Sequence, residues 1–268
     1  MKPAPLEYRR ARSAAEAIEL VQSSAGQAKF LAGGQTLGPM INLRLAQPDL
    51  LVDVSRLPEL LQVKREGEHL LVGAATPHAA FEDGIVPDVA NGFLARAASG
   101  IAYRSVRNRG TIGGSLAHAD PASDWPTALL ALDASVIVAG AKGRREIPLT
   151  RFLTGAMTTA LGDDELIESV RIPCLARGAR WGYYKRCRKL GEFAYSMAAV
   201  VVDRERAFCR AVIGATGGAP LLLERTARIL AATGGWLPGI EAEIRASYEA
   251  DLAASGMMLD EYDRHVHG

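Results

Sequence analysis

The stretch Arg107-Asn108-Arg109-Gly110-Thr111-Ile112-Gly113-Gly114-Ser115-Leu116-Ala117-His118-Ala119-Asp120-Pro121 decides the reading of this chain. Its paired glycines admit positive φ and leave bare N–H groups free to approach a ligand. Successive N–H groups in such a turn form a concave anion site, and the hydroxyls of Thr111 and Ser115 add donors. A second segment, Leu31-Ala32-Gly33-Gly34-Gln35-Thr36-Leu37, repeats the arrangement with Thr36 as its hydroxyl. Two such loops from distant parts of the chain suit a diphosphate, which has two charged centres to hold. A lone Gly-Gly is far more often only a turn; two, each flanked by hydroxyls, bring the ligand reading level with that one. Neither GxGxxG nor GxxxxGK[ST] occurs, so the nucleotide reading does not extend to a Rossmann or Walker site.

Outward from these loops the periodicity alternates between helix and hairpin. Ala14, Ala17, Ile18 and Val21 fall on one helical face over residues 14–22. Residues 29–32 predict a strand running into Gly33-Gly34, and 50–54 a buried strand. Residues 61–64 and 70–73 flank Gly67 as a hairpin. Thr76-Pro77 predicts a helix start with Thr as N-cap and Pro at the first position, with helical periodicity continuing over 86–98. A helix over 125–132 precedes a hairpin of 135–139 and 144–147 around Lys142-Gly143, then a strand over 165–172 ending at Pro173. Residues 197–202 and 207–215 pair across Asp-Arg-Glu-Arg, and helices follow near 221–233 and 239–253. Hairpins mixed with helices, rather than a regular βαβ repeat, place the chain in the α+β class. The breaks near 57 and 174–178 divide it into 1–57, 58–175 and 176–268.

The chain has 268 residues, 49% of them apolar, with a formal net charge of +1. That length supports one large or two to three small domains with real cores, and near-neutral charge argues against nucleic acid as the main partner. Cys174, Cys187 and Cys209 are scattered without a CxxC pair, which disfavours a zinc or iron–sulfur site made by this chain alone. Reduced thiols and the absence of an apolar leader lead us to expect the cytoplasm. No apolar run reaches the 18 or so residues of a membrane span.

The pattern resembles the medium, FAD-binding subunit of the molybdenum hydroxylase family, the type found in carbon monoxide dehydrogenase and in the FAD domain of xanthine dehydrogenase. The segments "AGGQTL" at 32–37 and "RNRGTIGGSLAHADPASD" at 107–124 match its FAD-diphosphate motifs. "DVSRLPEL" at 53–60, "LIESVRIP" at 166–173, "YYKRCRKLGEFAYSMAAV" at 183–200 and "CRAVIGATGGAPLLL" at 209–223 follow in family order.

The resemblance implies a two-part FAD-binding domain of the vanillyl-alcohol-oxidase (PCMH) type, followed by a smaller C-terminal α/β domain. FAD would be cradled by Leu31, Ala32, Gly33, Gly34, Gln35, Thr36 and Leu37, and by Thr111, Ile112, Gly113, Gly114 and Ser115. Asp120 and Asp124 would serve its sugar and adenine; His118 would line it. Ile167, through its main chain, and Lys185 would sit near the flavin, with Phe193 or Tyr195 as an aromatic neighbour. Plainer readings stand beside these: Asp124 as a helix N-cap, His118 bonded to backbone, Lys185 solvated in a basic run, and Phe193 and Tyr195 in the core. The resemblance further implies a heterotrimer, or its dimer, with a large molybdopterin-cofactor subunit and a small [2Fe–2S] subunit. Electrons would enter from the clusters and leave to an external acceptor, with no bond-breaking residue on this chain. A self-contained FAD oxidoreductase and a flavin-free scaffold subunit remain as alternatives.

Overall fold

The computed structural model describes residues 2–257 together with 259, 262, 265 and 267. The first fifty residues build β1 (Glu7–Arg10), α1 (Ala14–Gln22), β2 (Ala28–Leu31), α2 (Leu37–Asn42) and β3 (Leu50–Asp53). All three strands run parallel in the order β1-β3-β2. The Ser13 hydroxyl accepts from the Glu16 N–H at 3.1 Å, and the Glu16 carboxylate accepts from the Arg12 N–H at 2.6 Å, which satisfies donors that the start of α1 leaves open. Ala17 and Ile18 of α1 pack on Leu50, Val52 and Val54, and the same cluster takes in Leu60, Ala75, Ala139 and Leu166 from the next part of the chain.

That next part contains β4 (Val63–Glu66), β5 (His69–Gly73), α3 (His78–Glu82), α4 (Phe93–Ser99), α5 (Arg104–Arg107), α6 (Ile112–His118) and α7 (Asp124–Ala131). It continues with β6 (Ser135–Gly140), β7 (Gly143–Pro148), α8 (Leu149–Phe152), β8 (Leu153–Gly155), β9 (Thr158–Thr159) and β10 (Leu166–Pro173). The antiparallel sheet has the order β4-β5-β10-β6-β7. Every residue of α7 is buried, because this helix is covered by α4, α6 and α8 and also by strands from the last third.

The last third forms β11 (Arg180–Arg186), β12 (Ser196–Asp203), β13 (Phe208–Gly214), β14 (Leu221–Leu222), α9 (Glu224–Thr233) and α10 (Glu241–Ser255). Its antiparallel sheet runs β11-β12-β13-β14. One side of the sheet joins the main core through Ala199, Val201 and Val212, and the other packs on α9 and α10 through Ala211, Ile213, Leu230, Tyr248 and Leu252. Helices and antiparallel strands together give the α+β class. Among the described residues no helix is long and apolar enough to cross a membrane.

Several expected elements differ. The cap of α3 is Pro77, not Thr76, and the helix begins at His78. The helix expected over 86–98 is confined to Phe93–Ser99. Pro87 disfavours helical geometry in the residue before it, and the Asp88 carboxylate accepts from Ala90 N–H and Gly92 N–H at 3.0 and 2.8 Å, closing a turn instead. The segment 111–118, read as a glycine loop, is the start and body of α6.

Candidate functional site

Gly33 and Gly34 end β2 and turn the chain into α2. Of the four glycines in the two paired motifs, only Gly34 has positive φ, at +69°. The other three are needed for close approach. A Cβ on Gly33 would stand 2.0 Å from the Arg109 carbonyl oxygen, one on Gly113 would stand 2.4 Å from the Ala74 Cβ, and one on Gly114 would stand 2.9 Å from the Thr111 Oγ1. The first two therefore seat the loops against each other and against the end of β5.

The two loops differ in what they offer. Among the described residues, the main-chain N–H groups of Gly33, Gly34, Gln35, Thr36 and Leu37 have no acceptor within the protein. Such a row of unpaired donors is an anion nest. The second loop has already spent most of its donors. Ile112 N–H bonds to the Thr76 carbonyl, Gly113 N–H to the Ala74 carbonyl at 2.9 Å, and Ser115 N–H to the Thr111 carbonyl at 3.0 Å. The Thr111 hydroxyl caps Gly114 N–H at 3.0 Å. The expectation of two nests is thus corrected to one nest and one internally capped helix start, which leaves the Thr111 N–H and the Ser115 hydroxyl as donors.

Both loops line one cavity of about 620 Å³, within the size range of small-molecule sites. Of the residues singled out from the sequence, Leu31 to Leu37, Thr111, Gly113, Gly114, Ser115, His118, Asp120, Asp124, Ile167 and Lys185 all line it. Ile112 does not; its side chain is in the core with Leu116 and Trp125. Ile167 lines it because β10 pairs with β5 only from Ser169 onward, so that 166 and 167 extend past the end of β5. Phe193 lies at the cavity and Tyr195 does not. Neither is core: they are 66% and 50% exposed.

Asp124 and Lys185 form a buried pair, Nζ to Oδ2 2.9 Å, with the side chains 4% and 9% exposed. Lys185 Nζ also donates to the Gly100 carbonyl at 3.1 Å, and the Tyr183 hydroxyl donates to Asp124 Oδ1 at 2.7 Å. Burial, reinforced by the Asp124 carboxylate, pushes the Tyr183 phenol far above its ordinary pKa, so it stays a donor. Lys185 is therefore not a solvated lysine. Nor is Asp124 the helix cap; Ser123 holds that position and Asp124 opens α7. A pair 2.9 Å apart cannot serve opposite ends of a molecule as long as FAD. The expected division, Asp124 at the adenosine and Lys185 at the flavin, does not fit their direct contact. Asp120 accepts from Ala122 N–H at 2.8 Å through Oδ1 and has its second oxygen available. His118 makes no side-chain bond among the described residues and borders the cavity.

Several lining residues escaped the sequence reading, His78 among them. His78, 5% exposed, accepts from Trp125 Nε1 at 2.9 Å through Nδ1. Burial, with a smaller contribution from Arg107, lowers its pKa to about 4. Its only local signal was an apparent helix start, because its partner lies 47 positions away.

Residues 4–175 match the family model described as the FAD binding domain in molybdopterin dehydrogenase. The chain belongs to that family. It is similar to the carbon monoxide dehydrogenase medium chain of Hydrogenophaga pseudoflava, 38% identical over 84% of this chain and 79% of that one. It is also similar to the nicotine 6-hydroxylase medium subunit of Paenarthrobacter nicotinovorans, 37% identical over 84% and 78%. Among solved structures, the H. pseudoflava carbon monoxide dehydrogenase lacking the Mo-pyranopterin moiety superposes with a TM-score of 0.86 at 32% identity, over 98% of this chain and 91% of that one. Quinoline 2-oxidoreductase from Pseudomonas putida 86 gives 0.79 at 27%, over 97% and 100%. The protein is accordingly a medium, FAD-binding subunit of the molybdenum hydroxylase type, an oxidoreductase subunit whose cofactor is FAD. The residues present fit that group: the unpaired N–H row suits its diphosphate, and the cavity is large and partly apolar.

Proposed function

We propose that this medium subunit carries electrons from [2Fe–2S] clusters of a small partner subunit to an external acceptor. A large molybdopterin-cofactor subunit would supply them, in a cytoplasmic heterotrimer or its dimer. The observation that carries the reading is a single cavity shared by the free N–H row of the first loop and the buried Lys185–Asp124 pair. Similarity to medium chains of carbon monoxide and nicotine enzymes supports the partnership.

In this reading the chain divides into 1–57, 58–175 and 176–268, the first two making the two-part PCMH-type FAD-binding unit and the third the C-terminal domain. FAD, when bound, supplies the redox chemistry. The protein binds, orients and encloses it. Residues 31–37 hold the diphosphate through Gly33 to Leu37 N–H groups, and Ser115 adds a hydroxyl. Asp120 accepts from sugar hydroxyls, and His118 borders the same stretch. Ile167, Lys185 and Phe193 stand at the flavin end. Asp124 neutralises Lys185 there, so the Coulomb attraction of the lysine for a reduced, anionic flavin is largely offset.

The test is co-purification. The tagged chain should bring down a large and a small subunit, the complex should contain FAD, and reduction of an artificial acceptor should require all three polypeptides. A chain that oxidises a donor by itself would sink the proposal.

A further inference from the structure

Trp125 is an indole donor with nothing to accept, and it donates to Nδ1 of His78 at 2.9 Å. Nδ1 must therefore present its lone pair, and the single proton of the neutral ring resides on Nε2. Burial, with Arg107 second, keeps the imidazole neutral at ordinary working pH. His78 is 5% exposed and lines the cavity, and Nε2 has no acceptor among the described residues. Nε2 is not among the side-chain atoms that are both fully buried and unpaired, so it is reached from the cavity, where a ligand can accept from its N–H.

The surroundings say where that partner sits. Gly110 also lines the cavity, and a Cβ there would stand 2.8 Å from Nε2. Glycine at this position leaves room for the His78 ring. On its far side Gly110 abuts Gly33, whose own added Cβ would stand 2.8 Å from the Gly110 Cα. His78, Gly110 and Gly33 thus form a column that ends at the free N–H row. The N–H groups of Ile112, Gly113, Gly114 and Ser115 are already bonded, which leaves Thr111 N–H and the Ser115 hydroxyl as that loop's donors and room for a further donor at the second charged centre of a diphosphate.

We propose that His78 is a cofactor-binding residue whose Nε2–H, fixed in place by Trp125, donates to the FAD diphosphate beside the first loop. This rests on the FAD reading of the cavity. A neutral donor suits the site because it leaves no unpaired buried charge when the cavity is empty.

The experiment is an FAD titration of the flavin-depleted full chain for wild type, His78→Phe and His78→Gln. Losing a hydrogen bond to a charged group raises Kd by about ten- to hundredfold in His78→Phe. His78→Gln, which keeps an N–H donor, stays within about threefold of wild type on the same scale. Histidine-labelled NMR of the wild-type chain gives a second readout that does not depend on a variant folding: of five histidines, the Nε2–H signal of His78 shifts on adding FAD. Unchanged affinity in a folded His78→Phe, or an unmoved His78 signal in a chain that binds FAD, overturns the proposal and leaves the cofactor reading intact. A folded wild-type chain that takes up no FAD overturns both.

Discussion

Protonating His78 would break the Trp125 bond and place a charge in the core beside Arg107. Its native pKa of about 4 lies below the ordinary histidine value. Between these two values the unfolded chain binds more protons than the native one. Stability is therefore full above about pH 6.5 and falls as pH drops towards 4, by at most about 3 kcal/mol. Urea midpoints of the flavin-depleted chain at pH 7 and 4.5 should separate accordingly, and His78→Gln should narrow the separation. Equal separations in the two proteins would remove His78 as the cause. The glycines make a sharper contrast. Gly33→Ala puts a methyl 2.0 Å from the Arg109 carbonyl oxygen, whereas Gly38, inside α2, has nothing within 4 Å of the added carbon. Overpacking at Gly33 costs about 1–3 kcal/mol and should weaken FAD retention. Gly38→Ala should instead leave FAD in place and stabilise the chain by up to about 1 kcal/mol. Denaturation curves with flavin content measured on the same samples separate the two.

At the level of elements, the Asp124–Lys185 pair ties the start of α7 to β11 and, through Gly100, to the end of α4. Replacing Lys185 by Met leaves a buried carboxylate facing only the Tyr183 hydroxyl, and should cost about 3–5 kcal/mol. The double variant Lys185→Met with Asp124→Leu removes both charges and should regain most of that loss in thermal denaturation. If the double variant were as unstable as the single one, packing rather than charge would be holding these elements. The pair was invisible in the sequence because its members are 61 positions apart. The hairpins were legible for the opposite reason: β6 and β7, and β12 and β13, alternate locally and turn at residues suited to turning. Helix α6 was not legible, since Gly113 and Gly114 depress helix propensity. What restores it is the Thr111 cap and the fit of Gly113 against Ala74, and only the fold supplies the second. The first loop was readable because its chemistry is confined to consecutive residues; His78 was not, because its chemistry depends on Trp125 and Gly110.

Across the whole molecule, the cavity is walled by residues from all three sheet regions, so its shape depends on how they lock together. The lock on the C-terminal side runs through a short series of contacts. Glu82 accepts from Arg107 Nε and Nη2 at 2.8 and 2.9 Å, and Arg107 Nη1 donates to the carbonyls of Ile101 and Ala102, both at 2.9 Å. That holds Ala102 in the left-handed region, at φ +42°. Gly191, itself at φ +87°, then packs so closely that a Cβ would stand 2.6 Å from the Ala102 carbonyl oxygen. Gly191, Glu192 and Phe193 line the cavity beside this contact. Gly191→Ala must either strain the backbone or lift the segment, at about 1–2 kcal/mol. Since these residues are partly or largely exposed, the cost falls on enclosure rather than on the cores, and 1.4 kcal/mol corresponds to about tenfold in an equilibrium or rate ratio. FAD should therefore dissociate about tenfold faster from the variant, followed by recovery of free-flavin fluorescence, while the global urea midpoint barely moves. A midpoint that drops together with FAD loss would make Gly191 part of the folding core instead, and an unchanged release rate would mean that this segment does not enclose the cofactor.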